Sequence, residues 1–247
     1  MNPQSDCAAV LACWNEAPTI AQLVKSLLPE LANVYVVDDG SSDETALVAA
    51  KAGAEVLRHP RNRGKGAALR TGLAAAFDDG FSWCLTLDGD GQHAPEDLGG
   101  FLECAERTGA QLVVGNRMGE AGAMPFLRQT VNRWMSGRLS KLTGSALPDS
   151  QCGFRLLDLR VWQSLRLNCE HFEVESELLL EYLRAGCRVE FVPIRVIYGQ
   201  RQYSRIRPLQ DTLRWLRWWW QARQRATNGR RDPKGITEDS PAQSVRD

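Results

Sequence analysis

Residues 7–40 read CAAVLACWNEAPTIAQLVKSLLPELANVYVVDDG, and the order of patterns inside that stretch decides the fold. CAAVLACW is a short continuous apolar run bounded by polar residues, the mark of a buried strand. In TIAQLVKSLLPEL the apolar residues Ile20, Leu23, Val24, Leu27 and Leu28 recur at helical spacing. VYVVDDG is a second strand that ends in two acids. Further along, SSDETALVAAKAG (41–53) has the Ser/Asp-rich start of a helix, and AEVLRH (54–59) is a third short strand. GKGAALRTGLAAAFDDG (64–80) is a helix opened by glycines, and WCLTLDGDG (83–91) a fourth strand. Strand and helix alternate, which predicts an α/β fold with a mostly parallel sheet flanked by helices on both faces. Such sheets bind ligands at the carboxyl ends of their strands. Every polar cluster so far falls at such an end: Asn15 and Glu16, Asp38 and Asp39, residues 62–66, and residues 88–92.

Beyond QLVVGNRM (111–118) the alternation weakens. The pattern predicts a helix over FLRQTVNRWMSGRLSKLTG (126–144), a loop over SALPDSQCGFRLLD (145–158), a helix over VESELLLEYLRAG (174–186) and a strand over RVEFVPIRVIY (188–198). The expected organisation is a catalytic domain over 1–205, a basic Trp-rich amphipathic helix over 206–226 and a disordered tail over 227–247, where hydrophobicity is low and turn residues gather.

Thirty basic and thirty acidic residues cancel, so bulk charge gives no sign of a nucleic-acid binder. The balance hides a local asymmetry, since nine arginines lie between Arg201 and Arg231 against one acid, Asp211. Seven cysteines are scattered through apolar contexts without a C-x-x-C pair, which predicts reduced thiols and a cytosolic location rather than a disulfide frame or a zinc site. No signal peptide opens the chain and nowhere do eighteen apolar residues run together, so a secreted or membrane-spanning chain is not expected.

LDGDGQ holds the chemistry. Two carboxylates at i and i+2, Asp88 and Asp90, repel unless a cation sits beside them, and a divalent metal that also touches phosphates is a common reason to keep such a pair. Gln92 adds a neutral oxygen, and the intervening glycines let a bulky ligand approach. A plain Gly/Asp surface turn accounts for the same letters. An EF-hand loop is excluded because His93 stands where its glycine belongs, and a P-loop because His59 replaces its first glycine. In NRGKGAAL, Gly64 and Gly66 would aim backbone N–H groups at an anion, with Lys65 as an added point charge.

Taken in order, WNEA (14–17), VVDDGSSDET (36–45), NRGKGAAL (62–69), LDGDGQHAPEDL (87–98), VGNRM (114–118), PDSQCGFRLL (148–157) and HFEVESELLL (171–180) resemble the family 2 glycosyltransferases of the GT-A fold. Within that family they are most similar to the polyprenyl-phosphate (dolichyl-phosphate) mannosyl- and glucosyltransferases. The resemblance covers about Cys7 to Pro208. It implies an inverting enzyme that moves a hexose from a nucleotide diphosphate sugar to a polyprenyl phosphate or another lipid acceptor at the cytosolic membrane face, with transfer to a hydroxyl as the alternative. It implies a nucleotide pocket of Trp14, Glu16, Asp38, Asp39, Lys65 and Asp88, and Mg²⁺ or Mn²⁺ on Asp88 and Asp90 with Gln92 close by. Arg117 and Arg128 match arginines that face the donor or the acceptor phosphate. Asp149 and Arg155 match the acceptor-side loop, with Asp149 the base that a hydroxyl acceptor would require. Arg128, Arg201, Ser204 and Arg205 would meet the acceptor, although Arg205 stands where relatives carry a lysine in a Gly-x-Ser-Lys run.

In IRPLQDTLRWLRWWWQARQR (206–225), Leu209, Leu213, Leu216 and Trp220 form one helical stripe with Trp215 and Trp219 on a flank and arginines opposite. That pattern suits contact with an anionic membrane surface, and equally a helix docked on its own domain.

Overall fold

The computed structural model describes residues 2–119, 124–197 and 208–228. A short α1 (Pro3–Asp6) leads into β1 (Cys7–Cys13). Then follow α2 (Ala17–Leu27), β2 (Asn33–Asp38), α3 (Thr45–Lys51), β3 (Glu55–Arg58), α4 (Lys65–Asp78), β4 (Trp83–Asp88), α5 (Leu98–Thr108) and β5 (Leu112–Asn116). The second half holds α6 (Phe126–Thr143), β6 (Arg155–Asp158), α7 (Leu159–Ser164), α8 (Val174–Arg184), β7 (Val189–Pro193) and α9 (Pro208–Asn228). The strands form one seven-stranded sheet in the order β3-β2-β1-β4-β6-β5-β7.

Strand β1 pairs in parallel with β2 and with β4, and its residues from Cys7 to Leu11 are wholly buried. A strand covered on both faces reads as an unbroken apolar run, and that is why CAAVLAC carries no alternation. Helix α2 presents Ile20, Leu23, Val24 and Leu27 to the core, the same stripe that its sequence periodicity marked. The register of the parallel pairs sets the site. Cys13 stands opposite Asp38 and Ala12 opposite Asp88, so the two acid-bearing strand ends reach the same rim on either side of β1.

One strand departs from the sequence expectation. Residues 145–158 were expected to be loop throughout, yet Arg155–Asp158 forms β6, antiparallel to both β4 and β5. Its four residues are all buried. Since it runs against its neighbours, β6 begins at the rim where they end, and so brings the preceding residues 149–154 to the polar clusters. The excursion from β5 to β6 therefore leaves the rim and returns to it between adjacent strands.

The chain divides into two compact units at Arg207 and Pro208. The described residues of the second form α9, which runs to Asn228, slightly past the expected end of the Trp-rich helix. Along it the rings of Trp215 and Trp219 stack with centroids 6.4 Å apart, and Arg223 lies over Trp219 at 5.6 Å. No helix among the described residues is long and apolar enough to cross a membrane. All seven cysteines are free, and burial pushes the Cys7 and Cys152 thiols up to about 12, which suits packed thiols.

Candidate active site

The first wall is built by the loops after β1 and β2. Asn15 takes a positive φ of 55° and its side-chain oxygen accepts from the Ser42 amide at 2.8 Å. Glu16 and Ala17 amides donate to Thr45 and Asp43 at 2.7 and 3.2 Å. Trp14 is left exposed at the surface while Glu16 is turned in and buried. Asp38 is fully buried: one oxygen accepts from the Ser41 amide at 2.8 Å and the other pairs with Arg58 at 3.1 Å. A cavity of about 300 Å³ opens beside this pair, lined by Gly40, Ser41, Arg58, His59 and Pro60.

Asp39 has a different place from the one expected for it. Its carboxylate accepts from the Arg63 and Gly64 amides at 2.9 and 2.8 Å and meets His59 at 2.7 Å. With both oxygens bound, it staples the loop that leads to α4. The glycines of NRGKGAAL are also committed within the protein. The anion facing the Gly64 amide is Asp39, and the Gly66 amide donates to the Glu170 carbonyl at 2.7 Å. A Cβ on Gly66 would lie 2.2 Å from the Cys169 carbonyl oxygen, so the glycine serves close approach of residues 169–170 rather than of an external anion.

Lys65 is the exception in that motif. Its buried ammonium forms ion pairs with Asp88 at the end of β4 and with Glu175 in the first turn of α8. Burial opposes its charge, but the two carboxylates outweigh burial and hold its pKa above the ordinary lysine value. For Asp88 burial also opposes ionisation, and the Lys65 ammonium with His93 beside it holds the carboxyl well below the usual range. His93 is buried, with its Nε2 3.8 Å from the second Asp88 oxygen. Glu175 was part of a quoted motif but not among the expected site residues. Its partner is distant in sequence, so no local signal marks it.

Asp90 lies on the turn after β4 and accepts from the Gln92 amide at 3.0 Å, while the Gln92 carbonyl accepts from Ile197 at 2.9 Å. That last bond, with a bridge between His93 and Val196, lays the segment after β7 along the rim. Arg201, Ser204 and Arg205 come next in the chain and lie outside the described residues.

A divalent ion fits the pair at 88 and 90. The donors are hard carboxylate oxygens, the type preferred by Mg²⁺ and Mn²⁺. Gly153 keeps the space open, because a Cβ there would stand 2.8 and 2.9 Å from the Asp88 oxygens and 2.9 Å from the Lys65 ammonium. Among the described residues no group of three or more His, Cys, Asp or Glu side chains is placed to hold a metal. The rest of the coordination sphere would come from phosphate and water, as is usual for Mg²⁺.

On the far side of the site, Asp149 and Arg117 form a closed pair. Nε and NH2 of Arg117 donate to the two oxygens at 2.7 and 2.9 Å, and the Gln151 amide adds 3.2 Å. Both side chains are buried. Burial raises the Asp149 pKa, but Arg117 more than compensates and the carboxyl sits below its ordinary value. The expected base at Asp149 thus has neither a spare oxygen nor raised basicity. Arg155, expected near the acceptor, is a structural clamp: three of its nitrogens donate to the carbonyls of Cys152, Glu175 and Ser150 at 2.7, 2.6 and 2.9 Å. Arg128 stands half-buried in the first turn of α6.

Comparison with known proteins gives the family and the fold. The family model described as glycosyl transferase family 2 matches residues 8–164. An uncharacterized protein of Methanocaldococcus jannaschii is 33% identical over 202 residues, which cover 79% of this chain and 83% of the relative. The UDP-N-acetylglucosamine–dolichyl-phosphate N-acetylglucosaminyltransferase of Methanococcus voltae is 28% identical over 219 residues, 79% of this chain and 87% of that enzyme. Among solved structures, glucosyl-3-phosphoglycerate synthase from Mycobacterium tuberculosis, in complex with Mn²⁺, UDP and phosphoglyceric acid, superposes with a TM-score of 0.69 at 21% identity, over 88% of this chain and 78% of that one.

Proposed function

The chain belongs to glycosyl transferase family 2 and has the GT-A fold, and from that premise we propose that it moves a hexose from a nucleotide diphosphate sugar to a polyprenyl phosphate. The observation that carries the acceptor class is the Asp149–Arg117 pair. An alcohol must lose a proton as it attacks and needs a base. A phosphate monoester is already largely ionised near neutral pH, its second pKa being about 6, and needs none. With Asp149 bound on both oxygens, the acceptor side fits a nucleophile that arrives deprotonated. The dolichyl-phosphate acceptor in the name of the Methanococcus voltae relative supports the same reading.

On the donor side, Asp88 and Asp90 would hold Mg²⁺ or Mn²⁺ with Gln92 nearby. When bound, the ion supplies Lewis-acid stabilisation of the departing diphosphate. Lys65, already charged and buried beside Asp88, adds a fixed positive charge where negative charge grows, and it needs no reorganisation to do so. Trp14, Glu16 and Asp38 with the cavity beside Arg58 form the nucleoside end of the pocket. Arg128, Arg201, Ser204 and Arg205 would meet the acceptor phosphate. Helix α9, on which Leu213 and Trp220 stand exposed, would lie in the headgroup region of an anionic membrane with its arginines toward phosphates.

The test offers the protein a nucleotide sugar, Mn²⁺ and either a polyprenyl phosphate or the corresponding polyprenol. Product on the phosphate alone, with turnover falling as pH drops below about 6, is the expected result. Equal product on the polyprenol would overturn the acceptor class. Asp90→Asn is expected to abolish the dependence of turnover on Mn²⁺, and a variant with unchanged Mn²⁺ dependence would remove the metal from this pair.

A further inference from the structure

Glu175 is 5% exposed, and its Oε2 has no hydrogen-bond partner among the described residues. A buried carboxylate is costly unless a cation compensates it. What compensates it is Lys65, whose ammonium is shared with Asp88 and stands 5.9 Å from the Phe172 ring centre. The start of α8 is fixed in turn, since Arg155 donates to the Glu175 carbonyl at 2.6 Å. Glu175 is therefore held rigidly opposite Asp88 with one ammonium between them.

The signs of the three charges matter. The charges of Asp88, Glu175 and Lys65 sum to one negative, and the Arg155 guanidinium, within electrostatic reach of Glu175, is common to the wild type and every variant below. Take Glu175 away and Lys65 neutralises Asp88 alone, so that a divalent ion arriving there meets a carboxylate already spent on a cation. We propose that Glu175 is a positioning residue whose charge offsets that of Lys65: with the ammonium held between two carboxylates one negative charge is left for a divalent ion at Asp88, and the pair keeps Lys65 in place beside the diphosphate once that ion is bound. This rests on the metal reading of Asp88 and Asp90, and it makes Glu175 specific to the reaction rather than to packing.

The experiment measures uptake of Mn²⁺ by the free full-length protein, from loss of the free-ion EPR signal, with the urea midpoint of each variant in parallel. Glu175→Gln keeps the shape and is expected to weaken Mn²⁺ uptake about tenfold, the scale of one charge acting over several ångströms near a protein surface. Lys65→Met is expected to strengthen uptake of Mn²⁺ while lowering kcat. The double variant leaves the same single negative charge as the wild type and returns uptake to near the wild-type value. That reversal is the decisive readout, because a packing role would change the urea midpoint and leave uptake unmoved. Equal uptake in the wild type and all three variants overturns the inference but leaves the metal reading intact. A wild type that takes up no more Mn²⁺ than Asp90→Asn overturns the metal reading and this inference with it. Should Glu175→Gln fail to fold, the double variant, in which the carboxylate and the ammonium are removed together, compared with Lys65→Met decides the matter: uptake no weaker than in Lys65→Met overturns the proposal.

Discussion

Asp149 shows how one partner settles what a carboxylate does. By sequence it was a proton acceptor in waiting; in the fold it is the counter-ion of Arg117 and closes the base of the excursion that begins at residue 117. Breaking a buried pair from one side leaves the other charge stranded, which costs about 3–5 kcal/mol. Asp149→Asn is therefore expected to lower the urea unfolding midpoint markedly at pH 7. The sign of the pH effect follows from the lowered pKa. The pair's contribution is complete above the unfolded carboxyl value of about 3.9 and is lost as pH falls through the folded value below it. Urea titrations should then show the gap between wild type and Asp149→Asn narrowing below about pH 4. A gap that widened on acidification would contradict the assignment. The residue letters made Asp38, Asp39, Asp88, Asp90 and Asp149 legible as a set. They could not say that Asp39 would be consumed by the loop that leads to α4, or that Glu175 would join, because both facts depend on amides and an ammonium brought in by folding.

At the scale of elements, the first half of the fold was legible because its signals are local. The buried parallel strands β1, β2 and β4 are apolar runs ended by polar clusters, and a helix such as α2 shows its stripe. Strand β6 was not legible, for it is four residues, RLLD, begins and ends with a charge, and follows a proline and a glycine. It is a strand only because β4 and β5 hold it from both sides, and no window along the sequence contains those partners. Helix α9 poses the opposite case, since its pattern was plain and its partner was not. If it lies in a lipid interface, vesicles containing anionic phospholipid should carry the full chain upward in a density gradient, and a chain ending at Arg207 should stay behind. Equal flotation of the two would assign lipid contact elsewhere. High salt should weaken the association, as the arginine share of the attraction is screened.

For the whole molecule, the rim is assembled from loops far apart in sequence, so a ligand that bridges them should stabilise the fold as a unit. Saturation at about 100 times the dissociation constant adds about 2.7 kcal/mol. For a chain of this size that corresponds to a rise in Tm of roughly 5–10 °C. A panel of UDP- and GDP-sugars with Mn²⁺ should show such a rise for one base and little for the other, and a flat panel would argue against the nucleotide pocket at Trp14, Glu16 and Asp38.

Residues 117–154 depart from β5 and re-enter at β6, two strands already bonded to each other, and the Arg117–Asp149 pair draws the neck shut. Between the two residues of that pair the described part of the segment packs through the buried Asn132, Met135, Ser136 and Leu139 of α6, and Gly153 lies beyond it. A graft that keeps the arginine, the aspartate and that buried face of α6 would exchange the exposed part of the segment and leave Gly153 in place beside Asp88.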